Sequence, residues 1–584
     1  MGYLLTHLKN NKKEIILAPL FKLLEAVFEL LIPLVVANII DNGISAQNKS
    51  VIIYGFLLMA GLALLGIVSS ITAQYFSAKA SVALAGSIRE SIFRKMHELP
   101  FSQIDKYGVS TLITRMTGDV NNIQNGANLF FRLVLRSPFV VIGAFVMAFV
   151  INKTVSLVFL GVILILSLII VLILVLPIPV HNKIQEESDS MTSGIRDNLK
   201  GVRVLRVYNL VDKEKSKLEK ISEKMYGYQM RSGNISALLN PLTFAVLNFG
   251  ILIILIISSH YVNDGIFLVG STVALYNYMS QILVEIIKVA NLVISVSKAA
   301  ASTRRVKDIE LSEPDMVYPE SSETGDSENE FAVEFDNVSF RYNDTSECVL
   351  DNISFRIKKG EKVGIIGGTA SGKTTLINLL NRFYDVSEGL VLLDGIDVKK
   401  YSKNDIRKKF GYVLQKPGLL KGTIKSNIEL GVQGGIDETD TIESIDMAEG
   451  RSILESRAEG IYAEVEQGGK NFSGGQRQRI AIARALSRMP EILLFDDSFS
   501  ALDYVTEANL RKNLSNLNYD PTVIIVAQRI SSVIGVDKII VLDNGEIAGI
   551  GSHEELLNNC KEYREIFESQ YGYIESIEGG MYEN

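Results

Sequence analysis

The sequence predicts a two-part chain: an all-α membrane domain of six helices followed by a separate α/β domain. Three observations predict it. Apolar residues make up 47% of the 584 residues and mean hydropathy is +0.22, high for a wholly soluble protein. The long apolar runs crowd into the first half, and after residue 330 short β-rich runs alternate with helical stretches.

The apolar runs cover about 14 to 40, 51 to 74, 130 to 151, 155 to 179, 239 to 262 and 266 to 295. Each can supply the roughly 20 residues that a hydrocarbon core requires. The first follows Lys9, Lys12 and Lys13, is too long for a signal peptide and lacks a small-residue cleavage site, so it should stay in the mature chain. Lys and Arg accumulate on the cytoplasmic side. Segments 41 to 50, 152 to 154 and 260 to 265 hold only Lys49 and Lys153, whereas 181 to 240 holds eleven Lys and Arg. The short loops therefore face out and both termini face the cytoplasm. Segments 75 to 129 and 180 to 238 read as helical continuations of the spans into the cytosol.

The formal charge is −7, but residues 310 to 330 hold eight acids: Glu310, Glu313, Asp315, Glu320, Glu323, Asp326, Glu328 and Glu330. The remainder sums to +1, with no basic field suited to nucleic acid. Residues 309 to 330 read as a solvated acidic linker, which divides the chain into a membrane domain at 1 to 308 and a second domain at 331 to 584. Cys348 and Cys560 lack CxxC spacing, so neither a disulfide framework nor a zinc site is indicated.

In the second domain the run Lys-Val-Gly-Ile-Ile leads into Gly367-Gly368-Thr369-Ala370-Ser371-Gly372-Lys373-Thr374-Thr375 and a helical Leu-Ile-Asn-Leu-Leu. This is G-x-x-x-x-G-K-[ST] between strand and helix. The glycines let backbone N–H groups and the helix start point at phosphate, Lys373 adds a cation, and Thr374 offers a hydroxyl to Mg²⁺. Downstream, the apolar run Ile492 to Phe495 ends in Asp496, suited to hold the metal through its water shell, with Asp497 beside it. A nucleoside triphosphate and Mg²⁺ are the expected ligands. Ser473-Gly474-Gly475-Gln476, after Phe472 and before a helix, is a second phosphate-binding helix start that a single P-loop cannot use.

On these motifs, in this order, the chain resembles the ATP-binding cassette (ABC) transporter family, in particular half-transporters of the exporter type. The resemblance covers the whole chain, makes the nucleotide ATP, and implies a dimer in which Ser473 to Gln476 closes over nucleotide held by the opposite cassette. It further implies that Tyr342 stacks on adenine, that Gln415 contacts Mg²⁺ and the membrane domain, and that Asp503 lies in the loop facing the partner. Gly108 to Gln124 and Gly201 to Leu210 resemble the two coupling helices.

Two catalytic positions depart from the family pattern. Where Glu usually follows the Walker B Asp to take a proton from the attacking water, Asp497 stands; shortening the side chain by a methylene shifts the carboxylate by ~1 Å or more, a misplacement that can cost on the order of a hundredfold in rate. Where the family shows Ala-His-Arg, Ala527-Gln528-Arg529 stands, and Gln cannot become a cation. Phe472 replaces the usual Leu, and Glu466-Gln467 the usual Gly-Glu. Together these resemble the degenerate-site subunit of a heterodimeric multidrug-type exporter, paired with a second half-transporter and moving hydrophobic small molecules or lipid across a cell membrane. The alternatives are a regulatory nucleotide-binding subunit with little transport drive, or a homodimer with two slow sites. The Lys-, Ile- and Asn-rich composition fits a bacterial membrane.

Inside the spans, Lys22, Glu25 and Glu29 share one helix face, and Glu285 and Lys288 are three residues apart. Glu29 is a candidate for cationic cargo, against the plainer expectation that these charges pair with one another.

Overall fold

The computed structural model describes residues 2–265, 267–323, 329–343, 347–430, 432 and 434–572. The chain divides into two compact units, one of Met1–Glu98 with Gly108–Ser312, the other of Leu99–Tyr107 with Glu313 onward.

Among its described residues the first unit contains six helical spans: Lys12–Ile44, Lys49–Glu98, Val109–Ile151, Lys153–Lys200, Val211–Asn263 and Val269–Glu310. Their lengths fit both crossing and extension, since a helix rises 1.5 Å per residue. The second span is exposed along nearly all of its apolar length, and the sixth is the most enclosed. The first span packs on the second and the third on the sixth. Small residues permit close approach: a Cβ on Gly270 would stand 2.3 Å from the carbonyl oxygen of Ala37, and the Gly270 N–H donates to Asp41 at 2.7 Å. The fourth span starts at Asn152, whose side chain accepts from the N–H groups of Thr154 and Val155. At the other end of the bundle, buried Asp119 accepts from Arg115 (2.9 Å), Ser302 (2.8 Å) and Arg305 Nε (3.0 Å), locking third span to sixth.

The second unit is built on a six-stranded sheet in the order Glu546–Gly551, Lys538–Asp543, Lys362–Gly367, Thr522–Ala527, Ile492–Asp496, Phe410–Val413, parallel except at its first member. The central strands read as unbroken apolar runs because helices or a second sheet cover both faces. Alternation assigns each side chain to a face: Ile524 and Val526 join one hydrophobic cluster, Val523, Ile525 and Ala527 the other. A four-stranded antiparallel sheet, in the order Leu350–Lys358, Phe331–Phe340, Glu388–Leu393, Ile396–Asp397, contributes to the first cluster.

Two expectations need correction. The helix of the sixth span runs to Glu310, and the acidic stretch after it is not simply solvated. Met316 is buried, Tyr318 donates to the carbonyl of Arg382 (2.8 Å), and Arg382 donates back to Val317 (2.9 Å) with its guanidinium over the Tyr318 ring. Its apolar and aromatic members pack on the α/β unit while Glu323 pairs with Lys400 at the surface; composition alone hid them among the acids. Asp326 and Glu328 lie outside the described residues.

The stretch Gly108 to Gln124, expected as a coupling helix, also differs from that expectation. Gly108 (φ 75°) breaks the chain, and Val109 onward belongs to the third span. The residues that join the α/β unit are Leu99–Tyr107, whose helix Phe101–Tyr107 sets Phe101 4.6 Å from Phe383, ring to ring, and Asp105 against the hydroxyl of Tyr384 (2.5 Å). The second segment forms the helix Val202–Val207, with Val204, Val207 and Tyr208 more than half exposed.

Candidate nucleotide site

The site grows from the ends of four neighbouring parallel strands. Lys362–Gly367 is central and ends where any side chain would collide: a Cβ on Gly367 would meet the carbonyl oxygen of Leu542 at 2.1 Å. The loop then turns through Ala370 (φ 65°) and Gly372 (φ 97°), so that it closes tightly before the helix Lys373–Leu380. Gly368, Thr369, Ala370 and Thr374 are exposed along it, while Ser371, Gly372, Lys373 and Thr375 are buried.

Lys373 folds back into the loop and donates to the carbonyls of Gly367 (2.9 Å) and Gly368 (2.5 Å) and to Ser371 Oγ (3.1 Å). Burial pushes its pKa down, opposed by the negative charges of Asp497 and Asp496. Three partial-charge acceptors in place of a counter-anion leave this ammonium suited to a phosphate oxygen.

Asp496 ends the strand Ile492–Asp496 and is buried; the one described hydrogen bond to its carboxylate comes from the Tyr412 hydroxyl at 3.3 Å. Burial pushes its carboxyl pKa up, with the Tyr412 hydrogen bond opposing. A buried carboxylate so thinly compensated fits a hard cation, and the nearby oxygen donors are of the type Mg²⁺ takes.

Asp497 follows in the left-handed region (φ 47°), with its N–H donating to Val526 O at 2.8 Å. That turn aims its carboxylate between two side-chain amides: Oδ2 accepts from Gln415 Nε2 at 3.2 Å and from Gln528 Nε2 at 3.3 Å. Gln415 follows the strand Phe410–Val413 and Gln528 follows Thr522–Ala527, so the residues proposed to act together do converge.

Two groups in this constellation escaped sequence reasoning. Tyr412 sits in an apolar strand with nothing to mark it. Gln570, on the helix Lys561–Tyr571, donates to the carbonyl of Gln528 (2.8 Å) and accepts the N–H of Ile530 (2.9 Å), pinning the backbone on both sides of Arg529.

The remaining expected residues occupy separate places. Tyr342 shows its ring at 42% exposure, with edge contacts to Phe340 (4.9 Å) and Tyr384 (5.2 Å) and its hydroxyl 3.0 Å from Thr375 Oγ1. Ser473 caps the helix Gly474–Leu486 in a reciprocal box with Gln476: Ser473 Oγ accepts the Gln476 N–H, and Gln476 Oε1 accepts the Ser473 N–H. Gly474 stands open and Gly475 lies close to the carbonyl of Ala501. Phe472 is the buried anchor before them, with the Arg457 guanidinium 4.0 Å over its ring. Asp503 caps the helix Tyr504–Ser515, and hydrogen bonds from the Thr506 N–H and hydroxyl hold its carboxyl below the usual range. Among the described residues, no hydrogen bond or ion pair joins Ser473–Gln476 to the loop 367–375, so the two phosphate-facing helix starts remain separate within one chain.

Known proteins resemble this chain in sequence and fold. The profile of the ABC transporter transmembrane region matches residues 15–286 and that of the ABC transporter matches 350–500. An uncharacterized ABC transporter ATP-binding protein of Mycobacterium tuberculosis is 31% identical over 582 residues, 98% of each chain. An ATP-dependent lipid A-core flippase of Francisella tularensis is 29% identical over 536 residues, covering 90% of this chain and 87% of that one. In fold, a bacterial Atm1-family ABC exporter solved with ATP bound is similar at a TM-score of 0.80 and 22% identity, over 97% of this chain and 99% of that one. With six membrane-length helices among the described residues, a P-loop sheet and a near full-length relative above 30% identity, the chain belongs to the ABC transporter family and joins one membrane region to one cassette, in the fold of an exporter half-transporter.

Proposed function

We propose that this chain is one subunit of a heterodimeric, ATP-driven exporter of hydrophobic or amphipathic substrates, in which its own P-loop site hydrolyses slowly and its signature completes the site of a second half-transporter. One observation carries this reading: the Asp497 carboxylate, a methylene shorter than the family's Glu, is engaged by the amides of Gln415 and Gln528. A general base must reach the proton it takes, and this shorter carboxylate is held by the two amides instead. Gln528 can donate to a γ-phosphate but cannot bring the charge of an imidazolium.

ATP held on Gly367–Thr375, with adenine against Tyr342, stabilises the cassettes in a closed pair, because Ser473–Gln476 and Asp503 of one chain meet nucleotide held by the other. Differential binding of ATP to the closed state shifts the membrane spans from inward to outward access. Thr374, Gln415 and Asp496 would hold Mg²⁺, which neutralises phosphate charge when bound. The exposed apolar tip at Val204, Val207 and Tyr208 supports a second chain as the surface that receives it. The excess of Lys and Arg in 181 to 240 supports cytoplasmic termini in a bacterial plasma membrane. Similarity to a lipid A-core flippase supports lipid-like cargo.

The test is steady-state ATPase of the purified chain alone and with a candidate partner half-transporter. The chain alone is expected to turn over slowly, and Asp497→Glu with Gln528→His to raise its rate by roughly ten- to a hundredfold. Brisk hydrolysis by copies of this chain alone overturns the reading.

A further inference from the structure

A cavity of about 620 Å³ opens in the membrane unit between the N-terminal helix Gly2–His7 and the second, third and sixth spans. Its volume lies within the roughly 300–1,000 Å³ of small-ligand sites. Leu4, Leu84, Phe130 and Val296 make its walls apolar. Small residues leave the space: Ala127 and Ala300 line it, and at Gly126 a Cβ would already stand 2.4 Å from Ala299 Cβ.

The rim is cationic. Arg304 and Lys307 border the cavity, both exposed and neither with an ion pair or side-chain hydrogen bond among the described residues. Their neighbours are committed elsewhere. Arg305 is bound to Asp119 and Ser302. Glu310, the acid one turn on from Lys307, accepts from Tyr3 and Ser91 and lies 3.3 Å from His7. An apolar slot with two unspent cations at its mouth, at the positively charged end of a membrane bundle, matches a lipid tail joined to an anionic headgroup.

We propose that this cavity holds one acyl chain of an anionic phospholipid whose headgroup sits on Arg304 and Lys307. The lipid is a resident of the bundle, independent of the pairing and of the cargo argued above. Bound there, it bridges the N-terminal helix to the second, third and sixth spans.

The full-length protein, reconstituted in nanodiscs of phosphatidylglycerol and phosphatidylcholine, is photolysed with either lipid carrying a diazirine in its acyl chain, and adducts are mapped by peptide mass spectrometry. Adducts are expected in 123–131 and 296–303, with phosphatidylglycerol favoured on the order of tenfold. Arg304→Gln with Lys307→Gln removes that preference, and Ala127→Trp removes the adducts of both lipids while ATP binding persists. Equal labelling by the two lipids in the unaltered protein overturns the proposal even if the variants fail to fold. So do adducts spread evenly over the exposed face of the second span, or cross-links showing that a helix of another polypeptide fills the cavity.

Discussion

Two of the molecule's clusters of ionisable side chains are treated in opposite ways. In the membrane unit, Arg136 lies at the centre of six charges: it meets Glu285 (2.5 Å), Glu29 (2.6 Å) and Glu25 (3.8 Å), while Lys22 pairs with Glu25 (2.5 Å) and Lys288 with Glu285 (2.7 Å). Three cations and three carboxylates sum to zero, and Ser137 donates to the second Glu285 oxygen (2.7 Å). In the nucleotide site, Lys373 has carbonyls and a hydroxyl in place of an anion, and Asp496 has a single distant hydroxyl. A network that neutralises itself is structural, whereas one left incomplete has the form of a ligand site.

Arg136→Ala should give the largest effect. It leaves three carboxylates facing two lysines in a low-dielectric bundle, and breaking a buried pair costs about 3–5 kcal/mol. The expected readout is a large loss of monodisperse protein after heating, in detergent. Arg136→Gln with Glu285→Gln restores balance and should recover much of that loss, a non-additivity that a double-mutant cycle measures. Additive losses would mean that the cluster is not one network and the contrast with the nucleotide site fails.

A smaller effect is expected at Gln570. Its amide fixes the backbone on both sides of Arg529 through two hydrogen bonds, each of which contributes about 1 kcal/mol net. Gln570→Ala should leave the fold intact and loosen the loop carrying Gln528, lowering affinity for a nucleotide triphosphate severalfold more than for the diphosphate. Equal loss for both nucleotides, read by titration calorimetry, would mean that Gln570 only supports the C-terminal helix.

The two clusters also differ in how far the sequence discloses them. Asp496, Asp497, Gln415 and Gln528 are legible because parallel strands bring their C-terminal ends to one edge, and each of these residues closes or follows an apolar run. Tyr412 and Gln570 are not, since their contacts depend on register and on a helix 42 residues away from Gln528 that no motif announces. The linker fails for a related reason: Met316 and Tyr318 are minority residues in an acidic stretch whose average composition reads as solvated. In the membrane, pairing of Lys22 with Glu25 and of Glu285 with Lys288 is readable from spacing along single helices. Arg136 is not, because its partners lie on two other spans. Charge counting does not single it out either, since the apolar runs hold Glu14, Glu25, Glu29 and Glu285 against Lys22, Lys288, Arg132 and Arg136.

Glu29 gives the smallest expected effect and the finest division between the two kinds of cluster. It belongs to the neutral network through Arg136, yet its side chain is 39% exposed and lines a cavity of about 350 Å³ with Asn277, Ser280 and Gln281. A half-exposed ion pair contributes about 1 kcal/mol or less, and Arg136 retains Glu285 and Glu25. Glu29→Gln should therefore barely alter heat resistance. If this carboxylate also meets cargo, the same change selectively reduces stimulation of ATPase by cationic amphiphiles while neutral ones stimulate as before. A Glu29→Gln protein as fragile as Arg136→Ala would place Glu29 wholly within the structural network, and the membrane cluster would then have no ligand-facing edge.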